Sequence, residues 1–489
     1  MVKRLLTAIL LTGVALQTHA EPLTMEQILQ KVVNHYPSLK IASMQVEKAS
    51  KESVRVNSQF GWQLNGQSGL SHETSMTAVA VDRLMVGGGA VKKLSSGDIL
   101  SLTGSLRFDQ LKDSTFTVPD PSTNLDFEVN YRRALGKGAD NLDYRLAANQ
   151  AEVGKKMAYA QEKLQYDQIA AQVLGLYLQA VVTHKQIDNV RISIKHSQRL
   201  NKFVKGRLGL GISENKDELQ VTAQLNGLKA KLKGLQLLWV QQEITLNRLM
   251  GLPWENKLDI NLTNDANSPK EQLANYISEA TQYSPELLII DSELAIAEST
   301  IQAKSNSRKD TLDLVGFVGN RLTTGELPNN TYTTISEPQI GIRLEYKTNL
   351  DHSGYDAALS QAYLDRSIAL QKRVDAKERI HYQIASLLAE IHESKGAYRA
   401  ARLSVKSEQA KLDEAEKRYR NGRIEIDRII QYESQLTASK LSLSLQKVEL
   451  ERRIYQLALL RGSLWKKVAR PHYDWSNAPA TNSLSSKPQ

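Results

Sequence analysis

Catalysis and metal binding need particular residue types at particular spacings, and this 489-residue chain offers few of them. It has no cysteine, so it holds no thiol nucleophile, no thiolate ligand and no disulfide. Its nine histidines are scattered, and His381 and His392 are not at the i, i+4 spacing that puts two imidazoles on one helical face. Gly87-Gly88-Gly89 with Lys92-Lys93 downstream resembles a phosphate loop only in composition. The G-x-x-x-x-G-K-[ST] spacing is missing, so the run reads as a turn. No Ser/His/Asp set and no facing pair of carboxylates is visible. The expectation is a protein that is not an enzyme and that takes no metal or cofactor. Two acids stand out by position, Asp217 and Asp427, each a few residues past a glycine-bearing turn. They read as helix-start residues favoured by the helix dipole, or as acids lining a lumen.

The elements that place these acids are repeated. At an offset of 211 positions, Tyr144, Gln150 and Gln172 fall on Tyr355, Gln361 and Gln383. Arg207, Gly211, Glu214, Gln224 and Gly251 likewise fall on Arg418, Gly422, Glu425, Gln435 and Gly462. The echo needs no gap from Asn141 to Gly251, far more than the roughly 20–50 residues of a solenoid unit. The chain therefore reads as two duplicated halves. Each contains a proline-free helix, Asn141 to about Gly206 or His352 to about Tyr419, then a glycine turn and a shorter return helix. At about 1.5 Å per residue such a helix is on the order of 100 Å long, and its charged faces suit a solvated coiled coil.

Each half also opens with a helix. Thr24 precedes a capping-box-like start, and Ser268-Pro269-Lys270-Glu271 heads the counterpart, with bends at Pro37 and Pro285. The two prolines are 248 apart against 211 for the later echo, so the first half carries 37 extra residues, expected within 61–97. Next comes alternation of apolar and polar residues, the period of half-buried strands. The candidate apolar face comprises Leu100, Leu102, Leu106 and Phe108, then Leu125, Phe127, Val129 and Tyr131, then Ile340, Ile342, Leu344 and Tyr346. Trp62, Leu64 and Leu70 alternate too, and either 62–72 or 98–109 could be the counterpart of 311–320. Runs of about 9–11 residues are long enough to cross a bilayer when tilted. Four such strands per chain are too few to close a barrel, and an open edge in lipid leaves backbone groups unpaired, so several copies must share one. Three copies would give twelve strands.

Lys3 and Arg4 before the apolar run Leu5–Leu16, with Thr18-His19-Ala20 after it, form a secretory signal. Losing it takes the formal charge from +10 to +8, spread too evenly to suggest nucleic acid. The expected organisation is a signal peptide at 1–20, an opening helix at 21–60, strands at 61–140 and the long and short helices at 141–251. After a linker at 252–268 come an opening helix at 269–308, a β-hairpin at 309–350, the second long and short helices at 351–462 and a tail at 463–489.

With these features the sequence resembles the TolC family of outer-membrane efflux and export channels over about 24–465. The resemblance rests on the duplicated helix–strand–strand–helix halves, the Tyr36-Pro37 and Ser284-Pro285 bends, and the segments after the turns. Gly211, Asp217, Gln224-Leu225 and Leu249-Met250-Gly251 follow the family pattern, as do Gly422, Gln435-Leu436 and Leu460-Arg461-Gly462, with Asp427 one residue early. It implies a mostly α fold with transmembrane β. A homotrimer would share a twelve-stranded barrel in the outer membrane of a Gram-negative bacterium, above a periplasmic coiled-coil tunnel. It implies the exit duct of a tripartite efflux or type I secretion system. A periplasmic adaptor linked to an inner-membrane pump or ABC exporter would dock at the helix tips, by position Leu210-Gly211-Ile212 and Asn421-Gly422-Arg423. The alternative is a periplasmic coiled-coil adaptor without a pore, which would have one helical hairpin and compact β-domains rather than two hairpins and paired long strands.

Overall fold

The computed structural model describes residues 23–74, 80–112, 119–210, 214–260, 272–327, 329–466 and 468. The expected signal peptide and most of the tail lie outside them. Helix α1, Met25–His35, starts on a capping box: the Thr24 hydroxyl accepts from the Gln27 amide at 3.3 Å while the Gln27 side chain accepts from the Thr24 amide at 2.9 Å. Tyr36 is extended, as a residue before proline must be, and α2, Pro37–Ser58, begins on the proline, where a missing N–H leaves nothing unsatisfied. The second half repeats the device with α5, Leu273–Tyr283, and α6, Pro285–Ser307. The start expected at 268–271 falls outside the described residues.

Among the described residues six strands follow the opening helices, not the four expected. They are β1 Gln63–Thr74, β2 Ala80–Lys93, β3 Ile99–Lys112, β4 Ser122–Ala134, β5 Thr311–Glu326 and β6 Tyr332–Lys347, in one antiparallel sheet in chain order. The surplus is the hairpin β1–β2, which occupies the extra residues of the first half. The segment 98–109 is therefore the counterpart of 311–320, since β3 and β4 map onto β5 and β6 at the 211 offset. Gly87-Gly88-Gly89 lies in mid-strand rather than in a turn. A Cβ at Gly89 would stand 2.9 Å from the Leu102 carbonyl oxygen, and one at Gly88 3.1 Å from that of Asn65. Glycine here permits close backbone approach on both sides of β2.

The strands lead into α3, Leu142–Gly209, with return helix α4, Asn215–Met250, and into α7, Ser353–Arg420, with return helix α8, Ile426–Leu460. Each long helix has 68 residues. Gly251 and Gly462 close the return helices with φ of 70° and 66°, the left-handed stop that glycine adopts without a Cβ penalty.

The chain divides into two compact units. One combines residues up to Lys40 with 165–284 and those from 379 onward. Its core packs Ile28, Leu29 and Val32 of α1 against Val173, Tyr177 and Leu178 of α3 and Leu246 and Met250 of α4. Polar clamps hold the loops on this core. The buried Glu243 carboxylate accepts from the Leu258 amide at 3.1 Å and from Lys257 at 3.3 Å, and Asp167 accepts from Tyr283 Oη at 3.0 Å and Trp465 Nε1 at 2.7 Å. The other unit, 41–164 and 285–378, holds the sheet and the helical segments joined to it. Those segments are tied by Tyr144 to Asn57 at 2.7 Å, Asn149 to Ser299 at 2.8 Å and Arg373 to Asp291 at 2.6 Å.

Candidate functional site

The sheet is the first candidate surface. Side chains alternate along each strand, so the pairing register decides which residues share a face. Leu100 pairs with Tyr131, Leu102 with Val129 and Leu106 with Leu125, while Gly104 faces Phe127 and Phe108 faces Thr123. Across the next ladders Val129 pairs with Val318 and Val318 with Ile340; Gly316 meets Ile342, Leu314 meets Leu344 and Leu312 meets Tyr346. All twelve residues of the expected apolar face therefore lie on one side of the sheet. Ile340 and Ile342 are 85% and 79% exposed, and Phe108, Leu125, Phe127 and Tyr131 are exposed too, so among the described residues much of that side is left uncovered. From Leu100 to Phe108 the band is about 27 Å along the strand. Tilted by about 40° it is about 20 Å tall, close to the apolar belt of a membrane barrel. Aromatic residues mark its rims, Tyr131 and Tyr346 at one end and Phe108 and Tyr332 at the other, as aromatic girdles do at bilayer interfaces.

The opposite face is charged. Arg83 reaches Asp109 at 2.8 Å and Glu73 at 3.0 Å, and Arg107 reaches Asp109 at 3.1 Å. Arg132 bridges Asp313 and Glu345 at 3.4 and 3.0 Å, and Arg321 pairs with Asp126 at 2.6 Å. The sheet is thus polar on one side and apolar on the other, with β1 and β6 as free edges. The helices α2, α3, α6 and α7 all join it at one end, and Thr74, Ala80, Lys112, Ser122, Glu326 and Tyr332 mark the other.

The second candidate is the pair of helix turns. Leu210 is 74% exposed; Gly211 and Ile212 lie outside the described residues. Asn421, Gly422 and Arg423 are all exposed and form a Schellman stop: Gly422, at φ 68°, donates to the Tyr419 carbonyl at 2.9 Å, and Arg423 donates to that of Arg418 at 2.9 Å. The return helices then start on Glu214 and Glu425. Asp217 closes a capping box by accepting from the Glu214 amide at 3.4 Å, and Asp427 sits in the first turn of α8. Both acids therefore lie where the dipole favours negative charge.

Beneath the turns the two helical hairpins pack together through Val204, Val221, Leu412, Ile426, Ile429 and Leu436. Arg207 lies near the rings of Phe203 and Tyr419, 5.8 and 5.6 Å from their centres. Glu433, buried and reached by Gln224 Nε2 at 3.5 Å, has its carboxyl pushed up to about 7, first by burial and then by the Glu416 charge. Sequence reasoning missed this acid because nothing in its own helix marks it as buried. It missed the ion-pair ladder because the pairing of distant strands supplies it.

No protein-family model matches the chain, and no curated protein does. Solved structures do. The outer membrane protein VceC of Vibrio cholerae aligns at TM-score 0.64 and 13% identity, over 90% of this chain and 95% of its own. The Campylobacter jejuni CmeC outer membrane channel aligns at TM-score 0.61 and 12% identity, over 92% and 87%. The open state of the Neisseria gonorrhoeae MtrE outer membrane channel aligns at TM-score 0.59 and 15% identity, over 90% and 88%. The chain has the fold of the TolC-like outer-membrane channels.

Proposed function

We propose that the protein is a passive channel in the outer membrane of a Gram-negative bacterium, the exit duct of a tripartite efflux or type I secretion system. The observation that carries this reading is the sheet, with its uncovered apolar face of bilayer height, its charged opposite face and its two free edges. Lipid accepts the first face, water the second, and other copies of the chain the edges. Three copies form the assembly, as the family resemblance implies, with the helices as a periplasmic tunnel. An adaptor bound to an inner-membrane pump or ABC exporter docks at 210–212 and 421–423. Opening separates the helices beneath those turns, a shift between two packings of one bundle.

The full-length chain is expected in the outer-membrane fraction as a heat-stable oligomer. It should give discrete conductance steps in planar bilayers, and protease added to intact cells should cut it near 113–118 or 327–331. Deleting 310–347 should abolish oligomer and conductance together. A soluble monomer that never enters the membrane refutes the channel and favours the poreless adaptor.

A further inference from the structure

The inserted hairpin is built into the sheet, not hung beside it. The strand β2 pairs with β3 without interruption from Ala80↔Lys112 to Lys93↔Ile99, and β1 pairs with β2 from Gln63↔Val91 to Thr74↔Ala80. The same parity runs through both ladders: Leu64 faces Ala90 and Leu70 faces Leu84, which faces Phe108. The apolar side of the sheet thus continues across the hairpin, and its charged side continues through Glu73 and Arg83. The turn between β2 and β3 is seated at the helix end of the sheet. Asn141 Nδ2 donates to the Ser95 carbonyl at 3.1 Å, and a Cβ on Gly97, at φ 93°, would stand 2.9 Å from the Asn141 amide nitrogen.

We propose that the β1–β2 hairpin belongs to the barrel wall, that β1 of one copy pairs with β6 of the next, and that the trimer closes eighteen strands rather than twelve. The proposal rests on the trimeric channel read above. Two features of the edges fit a second copy of this chain. Six antiparallel strands leave β1 and β6 pointing in opposite directions, so joining them extends the alternation without a reversal. Both edges also carry their apolar residues at even numbers, among them Leu64 and Leu70 on β1 and Ile340 and Ile342 on β6. Even-to-even pairing across the seam therefore keeps one apolar outside. Barrel diameter grows roughly in proportion to strand number, so the lumen would be about one and a half times that of a twelve-stranded wall.

The test uses the absence of cysteine in the chain. Gly66→Cys, Ser68→Cys and Leu70→Cys on β1 are each combined with Ile342→Cys on β6, with Gly104→Cys plus Ile342→Cys as the contrast. Membranes holding the full chain are treated with a short thiol cross-linker, and the single-cysteine variants are first checked as heat-stable oligomers. Within one copy β1 and β6 are five strand spacings apart, about 24 Å, so any cross-link joins two copies. The expected result is a covalent trimer from at least one β1–β6 pair and none from β3–β6. Covalent trimer from β3–β6 alone overturns the proposal, leaving a twelve-stranded trimer with the hairpin outside the wall. A product that stops at two copies overturns the count of eighteen. Absence of both cross-links and heat-stable oligomer overturns the channel reading itself.

Discussion

Glu433 should make the bundle beneath the turns more stable in mild acid than in mild alkali. Burial raises its carboxyl from an ordinary 4.5 to about 7. The displacement corresponds to about 3 kcal/mol of preference for the protonated form. The folded state therefore binds the proton more tightly than the unfolded state does. The stabilisation is fully present below about 4.5 and is lost as pH rises through about 7. The surroundings carry both signs, with burial outweighing the cations. Glu416 on α7 opposes the charge, Lys440 on α8 offsets it in part, and His196 and Arg199 of α3 line the same cavity. Two buried acceptors, Glu433 Oε1 and Gln224 Oε1, have no hydrogen-bond partner among the described residues, so a proton on Glu433 adds a donor there. The replacement Glu433→Gln mimics the protonated state. It should raise stability at pH 8 by up to about 3 kcal/mol and change little at pH 5. Urea unfolding of detergent-solubilised protein, followed by circular dichroism at both pH values, reads the difference. Glu451, raised to about 7 mainly by burial, contributes in the same direction, so Glu433→Gln flattens the pH dependence without abolishing it. A variant with an unchanged pH profile, or one destabilised at pH 8, refutes the reasoning.

Two further outcomes follow from the geometry. Val129→Arg on the apolar face should destabilise the membrane-inserted state by about 2–4 kcal/mol, and Asn130→Arg on the charged face by less than about 1 kcal/mol; equal costs in a liposome unfolding titration would mean that the apolar face does not meet lipid. Gly422→Ala and Gly462→Ala both force alanine into the left-handed region, at about 1–2 kcal/mol. The second also drives a Cβ into the Tyr283 ring, adding about 1–3 kcal/mol of overpacking, so thermal denaturation should show the greater loss at Gly462.

Much of the fold is legible in the sequence because local rules govern it. Pro37 and Pro285 mark the helix bends through their missing donors, and the strands β3 to β6 show alternation strong enough to assign a face residue by residue. The strand β2 does not, because Gly87-Gly88-Gly89 interrupts its alternation of Leu84, Val86 and Ala90 with residues whose value is the absence of a side chain. Propensity reads such a run as a turn; close approach between neighbouring strands overrides it. The partners of Arg132 and Arg321 could not be read either, since Asp313 and Asp126 face them across a ladder joining distant parts of the chain. Glu433 is equally opaque, for the helices that bury it come from both halves.

The ladder between β4 and β5 also bears on how the protein folds. It pairs Ser122 with Gly325 across a gap of 203 residues, whereas the other ladders close hairpins between neighbours in sequence. The first four strands can form as soon as they are made, but the completing pair waits for α3, α4, α5 and α6 to be synthesised. Long-range strand pairing of this kind is intrinsically slow, because a large loop must close before any contact rewards it. Until then β4 presents an unpaired edge as well as an apolar face to water, the condition under which aggregation competes with assembly. The residues that would seat the protein in a membrane are thus the ones most in need of escort on the way there.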